Sequence, residues 1–296
     1  MRAEQLAKML TGHRVGSGFL ARCPAHDDRD PSLSIREGRG GKVLVHCHAG
    51  CTQADVVAAL EARGLWTGSS GSGRRADAAP ASHFDDLQDG AKRTEAALAI
   101  WHHAQPAERS PVEQYLKNRS ITLPAPAALR FHPGLKHPKG GVWPAMVALV
   151  TRGGDGDPVA IHRTFLAACG LGKAPTTPSK MMLGPVRGGA VRLAPSAERL
   201  MVGEGIETVL SAMQATGMPG WAALSASGLK TLILPPSVRE VIVLADGDEV
   251  GYSAAEAAGR GWTREGRRVR IARPPAGTDF NDVLLGIPGS MRGAAA

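Results

Sequence analysis

The sequence predicts an α/β protein. It has a parallel sheet flanked by helices at the C-terminal end, a mixed α/β basic segment before it, and a small cysteine-rich ribbon at the N-terminus. Three observations carry this. The apolar runs Leu200-Met201-Val202 and Val241-Ile242-Val243-Leu244-Ala245 are separated by helical stretches, as in crossover units whose parallel strands are buried on both faces. Each run ends on carboxylates, Glu204-Gly205 and then Asp246-Gly247-Asp248, at the sheet edge where α/β proteins bind ligands. Three cysteines and a histidine gather within residues 23–51.

The first element in the chain is that cluster. Cys23-Pro24-Ala25-His26 is followed by Cys47-His48-Ala49-Gly50-Cys51. Such C-x2-H and C-x3-C pairs on two turns are ligands for tetrahedral Zn²⁺. The expected set is Cys23, His26, Cys47 and Cys51, with His46 and His48 as alternatives for the third or fourth position. Residues 32–35 and 42–45 read as two strands joined by the Gly38–Gly41 turn. Four protein ligands leave no open position, so the site is structural, and a module this short needs such a staple. The run from Cys23 to Ser32 resembles the N-terminal zinc finger of bacterial and phage primases, whose ligand pattern is Cys, His, Cys, Cys. It departs from the replicative members in its C-x3-C second pair, where they have C-x2-C. The resemblance implies a template-binding surface, with Arg22, Arg29, Arg36 and Arg39 as phosphate contacts. Cys169 lies far off in sequence and reads as an ordinary thiol.

Residues 67–88 follow as a tether. TGSSGSGRRADAAPAS has no periodicity, and some twenty such residues span roughly 25 Å as a random coil. The four expected domains are thus 1–66, the linker 67–88, 89–195, and 196–290. The whole chain carries a formal +8. Residues 89–195 hold 14 Lys and Arg against 6 Asp and Glu, a surplus equal to that of the entire chain. A basic segment beside an acidic site suits a protein that holds a polyanion.

Within 89–195, helices are expected over 91–103 and 111–119, the second opening on Pro111. Pro and Gly then punctuate short apolar runs such as 145–150 and 159–162, a small mixed subdomain packed on the later sheet. Lys173, near Gly170, Gly172 and Thr176, fails the P-loop spacing, and no other Walker segment occurs.

From 196 onward a strand at 199–203, a helix at 206–216, a strand at 221–224, the Asp246 strand, a helix at 251–264 and a strand at 268–272 alternate. Glu204, Asp246 and Asp248 form a hard-oxygen set suited to Mg²⁺ or Mn²⁺. Over residues 196–290 this arrangement resembles the Toprim domain of primases and topoisomerases, which places a Glu after its first strand and Asp-x-Asp after its third. The resemblance implies that Asp246 and Asp248 share Mg²⁺ and that Glu204 completes the coordination or acts as general base. Asp279 and Asp282, in the loop 274–282, are outer metal ligands or caps of a helix near Val283. Glu207, one turn beyond Glu204, supports the site or answers the helix dipole.

The middle segment resembles the half of the primase catalytic core that precedes Toprim. That likeness implies nucleic-acid and NTP contacts from Arg163, Lys180 and Arg192. Together the three blocks imply a DnaG-like primase of phage, plasmid or mobile-element type. It synthesises short RNA primers from NTPs on single-stranded DNA, with a separate helicase as partner. The rival readings are a Toprim nuclease and a non-catalytic ssDNA-binding or helicase-loading module. A topoisomerase needs a tyrosine nucleophile on a separate domain, and the chain has only Tyr115 and Tyr252. No apolar run approaches a membrane span and the N-terminus has no signal pattern, which predicts no membrane partner and a cytoplasmic location.

Overall fold

In the computed structural model, residues 2–15, 18–28, 31–38, 41–47, 49, 51–66, 81–154, 156–275 and 277–286 are described, with backbone alone over 81–88. Arg29, Arg39, His48 and the tether residues 67–80 lie outside the described residues. The chain forms two units, Met1–Ala78 and Ala79–Ala296. Among the described residues no helix is long and apolar enough to cross a membrane.

The first unit carries α1 (Ala3–Met9), β1 (His13–Val15), β2 (Gly18–Ala21), β3 (Leu33–Glu37), β4 (Val43–Cys47) and α2 (Gln53–Ala62). The strands form an antiparallel sheet in the order β1-β2-β3-β4. The two expected strands are β3 and β4, and two more precede them. Period-two alternation buries Leu33, Ile35, Val45 and Cys47 against Leu6 of α1 and Val56 and Leu60 of α2. Thr52 and Asp55 open α2 with a reciprocal capping box.

The second unit begins with α3 (Ala81–His103), which starts ten residues before the helix expected from Ala91, so the end of the expected tether is helical. Then come β5 (Gln105–Pro106), α4 (Pro111–Asn118), β6 (Leu129–Lys136), β7 (Val142–Arg152), β8 (Asp157–Phe165), β9 (Lys180–Leu183) and β10 (Gly189–Arg192). The remainder is β11 (Arg199–Gly203), α5 (Ile206–Thr216), β12 (Gly220–Ala222), α6 (Ala226–Thr231), β13 (Glu240–Leu244), α7 (Glu249–Arg264), β14 (Arg268–Ala272) and α8 (Phe280–Leu284).

Strands β12, β11, β13 and β14 are parallel neighbours in that order. On β11, Leu200 and Val202 pack with α6 and α7, while Met201 packs with α5 on the opposite face. This two-sided burial is why the strand reads as an unbroken apolar run. The basic half is not a subdomain packed on this sheet. Strand β10 pairs antiparallel with both β12 and β7, so a single ten-stranded sheet runs through both halves. On β8, Ile161 and Phe165 face the α3 cluster. The alternation puts Arg163 on that face and His162 and Thr164 on the other.

Candidate functional site

Glu204 follows the last residue of β11, and Asp246 and Asp248 follow β13, so crossover geometry gathers all three at one sheet edge. Asp248 also caps α7, its Oδ1 accepting from the Gly251 amide at 2.7 Å. Gly247 between them is required by close approach, because a Cβ there would stand 2.1 Å from the Thr278 carbonyl oxygen. That contact seats the 277–279 loop beside the Asp-x-Asp turn.

Asp246, Gly247 and Asp248 line a cleft of about 490 Å³ together with Glu207, Arg119, Lys173 and Lys180. A side cavity of about 190 Å³ is lined by Glu204, His162 and Leu224 and shares Lys180, Gly205 and Asp246 with the cleft. Burial, then Asp246 and Asp248, pushes the Glu204 carboxyl up to about 7. Burial and the charges of Asp248 and Asp279 raise Asp246 as well, against the pull of Lys180. Crowded oxygens that resist ionisation are what a divalent cation relieves, and an all-carboxylate set suits Mg²⁺ or Mn²⁺. The residues present therefore fit a hard metal ion.

Asp279 lines the cleft and caps α8, accepting from the Asp282 amide at 2.8 Å, while Asp282 returns the bond at 3.0 Å. Asp282 is buried in this capping box and does not line the cleft. Of the three cations expected at the site, the structure brings only Lys180 there. Arg163 lies on the α3 face, with Nη2 on the Met182 carbonyl at 3.3 Å and its guanidinium 5.9 Å from the Phe165 ring. Arg192 binds the carbonyls of Gly153 and Gly154 and stacks 4.4 Å over Trp221. Strand alternation turns Arg163 away, and Arg192 is held by its own contacts on β10.

Sequence reasoning missed Arg119 and Lys173. Arg119 closes α4, donates to Asn281 Oδ1 at 3.1 Å, and reaches the cleft because α4 packs beside α8. No local pattern marks it. Lys173 fails the P-loop spacing, yet it lines the cleft beside Asp246 and Asp248. Burial and the neighbouring Lys180 depress its ammonium pKa. Buried His162, on the side cavity, is lowered to about 4 by burial and then Lys180. Glu207 also lines the cleft, largely buried and bonded to Lys180 at 2.9 Å.

In the first unit Cys23, His26, Cys47 and Cys51 bring one ligand atom each to within 4.8 Å of one another. His26 Nδ1 stands 3.2 Å from Cys51 Sγ and 4.0 Å from Cys47 Sγ. Its Nε2 is 3.5 Å from Asp28 Oδ1. Asp28 Oδ2 in turn accepts from the amides of Cys23 at 2.5 Å and Ser32 at 3.1 Å. A carboxylate behind the histidine aims Nδ1 at the thiols, the usual support of a metal-bound imidazole. Burial pushes the Cys23 thiol up to about 12. Tetrahedral zinc with sulfur bonds of ~2.3 Å spaces its ligands by roughly 3.7 Å, so the cluster fits that ion with small closure.

Residues 91–193 match a family model described as a domain of unknown function (DUF7146), and residues 199–286 match that of the Toprim domain. No curated protein matches the sequence. Among solved structures, a DNA primase domain from Pseudomonas aeruginosa is 17% identical, with a TM-score of 0.44 over 66% of this chain and 74% of that one. The zinc-binding and RNA polymerase domains of Aquifex aeolicus primase are 15% identical, with a TM-score of 0.45 over 97% and 79%. The primase fragment of the bacteriophage T7 primase-helicase protein is 15% identical, with a TM-score of 0.40 over 90% and 95%. These likenesses are distant. The Toprim match falls on the residues that carry Glu204, Asp246 and Asp248.

Proposed function

We propose that the protein is a DNA primase-like nucleotidyltransferase. It makes short RNA primers from NTPs on single-stranded DNA during replication of a phage, plasmid or other mobile element. The observation that carries this reading is the lining of one cleft by Asp246 and Asp248 together with Arg119, Lys173 and Lys180. A pure nucleic-acid binder gains nothing from carboxylates beside phosphate, whereas a triphosphate with divalent cations needs both the acidic and the basic groups.

Glu204, Asp246 and Asp248 would hold Mg²⁺ or Mn²⁺, with Asp279 at the rim. The metal, when bound, supplies charge neutralisation and eases ionisation of a 3′-hydroxyl. Lys173 and Lys180 meet phosphate oxygens as point charges, and Arg119 meets them as a fork. In the reaction the 3′-oxygen bonds to the α-phosphorus and pyrophosphate departs with the electron pair of the broken bond. The hydroxyl proton passes to Glu204 or to solvent. Arg163 and Arg192 are left out of this assignment because their side chains are engaged away from the cleft.

Zinc on Cys23, His26, Cys47 and Cys51 would hold the first unit together for template recognition. A helicase partner and a cytoplasmic location complete the reading, with functional blocks at 1–66, 89–195 and 196–290. The test is incubation with ssDNA, Mg²⁺ or Mn²⁺ and labelled NTPs, resolved on a denaturing gel. A short ladder that depends on template and metal, and is lost in Asp246→Ala, is expected. Cleavage of the DNA in its place turns the assignment to a Toprim nuclease.

A further inference from the structure

Along the cleft lining, three elements meet on one largely buried carboxylate, Glu207. Tyr115 Oη of α4 donates to Glu207 Oε1 at 2.7 Å, and Lys180 Nζ of β9 donates to Oε2 at 2.9 Å. Tyr115 is 1% exposed and Glu207 6%. A carboxylate so placed is costly unless paired and hydrogen-bonded. Burial opposes its charge, but Lys180 and Tyr115 outweigh that and hold Glu207 down at about 2. The carboxylate is therefore a fixed anchor.

The anchored ammonium has three N–H donors, and Glu207 takes one. The Lys180 side chain is 36% exposed and lines both the cleft and the side cavity, as Asp246 and Gly205 do. It thus stands at the junction of the two spaces, beside a carboxylate expected to hold metal. Lysine is a flexible stem bearing a point charge. Left free it would sample many positions, and tethered to Glu207 it points its remaining donors to one.

We infer that Tyr115 and Glu207 are positioning residues that hold Lys180 against the phosphoryl group being transferred. This rests on the nucleotidyl-transfer reading of the same cleft. At the junction, Lys180 donates to a non-bridging oxygen of the α-phosphate as the 3′-oxygen bond forms and the bond to pyrophosphate breaks. It keeps its proton throughout, and its contribution is charge placed where charge develops. If Lys180 served only to neutralise Glu207, loosening it would leave turnover unchanged.

The experiment uses the full chain and two variants. Glu207→Gln keeps an acceptor for Tyr115 and releases the ammonium, while Tyr115→Phe removes one hydrogen bond and leaves the ion pair. Lys180 acylation by an N-hydroxysuccinimide ester, read peptide by peptide by mass spectrometry, is expected to rise several-fold in Glu207→Gln and less in Tyr115→Phe. In primer synthesis kcat is expected to fall about tenfold or more with KM for NTP within about threefold, the pattern of an interaction made in the transition state. Unchanged Lys180 acylation in folded Glu207→Gln overturns the positioning, and a loss confined to KM overturns the placement at the reacting phosphate. Should Glu207→Gln fail to fold, Tyr115→Phe decides by the same two readouts. A wild-type chain that incorporates no NTP defeats the proposed function instead, and the acylation rates still decide whether Glu207 holds Lys180.

Discussion

Replacing Glu204 with Gln should stabilise the metal-free second unit at alkaline pH and leave it unchanged in acid. Burial, with Asp246 and Asp248 nearby, moves this carboxyl from 4.5 to about 7. The proton is therefore held more tightly in the folded state. Its contribution is fully present below 4.5 and is lost as pH rises through about 7. A displacement of that size corresponds to ~3 kcal/mol. Solvent reaches part of the side chain, so roughly half of that, ~1.5–2 kcal/mol, is the working figure. In a unit of this size each 1 kcal/mol moves Tm by about 2–4 °C, giving an expected rise of ~3–8 °C for Glu204→Gln at pH 8. Scanning calorimetry in Mg²⁺-free buffer at pH 4.5 and pH 8 measures it, following the second unit's transition. Adding millimolar Mg²⁺ should raise the wild-type Tm at pH 8 and affect the variant less, because the cation takes over the role of the proton. Equal Tm differences at the two pH values would refute the electrostatic account of the acidic edge.

Three further outcomes are expected. Gly247→Ala forces a Cβ against the Thr278 carbonyl and should cost about 1–3 kcal/mol, with weaker Mg²⁺ binding by calorimetric titration as the 277–279 loop is pushed off. Lys173→Ala should weaken binding of Mg²⁺-NTP by about tenfold, whereas Arg163→Ala, on the far face of β8, should leave that affinity within about twofold. Cys51→Ser should reduce bound zinc, read by plasma mass spectrometry, from one per chain toward none. It should also abolish the first unit's cooperative melting, since binding and folding are coupled in so small a core.

The Toprim half was legible because its signals are local. A buried parallel strand is an apolar run, a crossover helix is the stretch between two of them, and Glu204 and Asp246 fall where the runs stop. The strands at 199–203 and 268–272 and the helix at 206–216 have the limits read from the residues alone. The cysteine cluster was legible for the same reason, each ligand pair being a few residues long. The cationic lining was not. Whether a basic residue reaches the cleft depends on which side of a strand it faces, and on helices brought together from residues 119 and 281. Spacing counts positions along a chain and cannot weigh those facts. Arg163 and Lys180 look alike in sequence, and β8 and β9 turn them to opposite faces. The short strands β1, β2, β5, β9 and β10 carry too few residues for a period and go unmarked, unlike β12, which lies in the apolar stretch 221–224.

Strand β10 has a practical consequence for anyone cutting this protein. Expression limits drawn near residue 195 would separate Arg192 from Trp221 and strip β10 from β12. Each fragment would then present an open row of amide and carbonyl groups, with an apolar core ready to pair with its neighbours in solution. Such halves are expected to precipitate or to exchange strands. A fragment that keeps the ten-stranded sheet whole would begin before α3 and retain everything through α8.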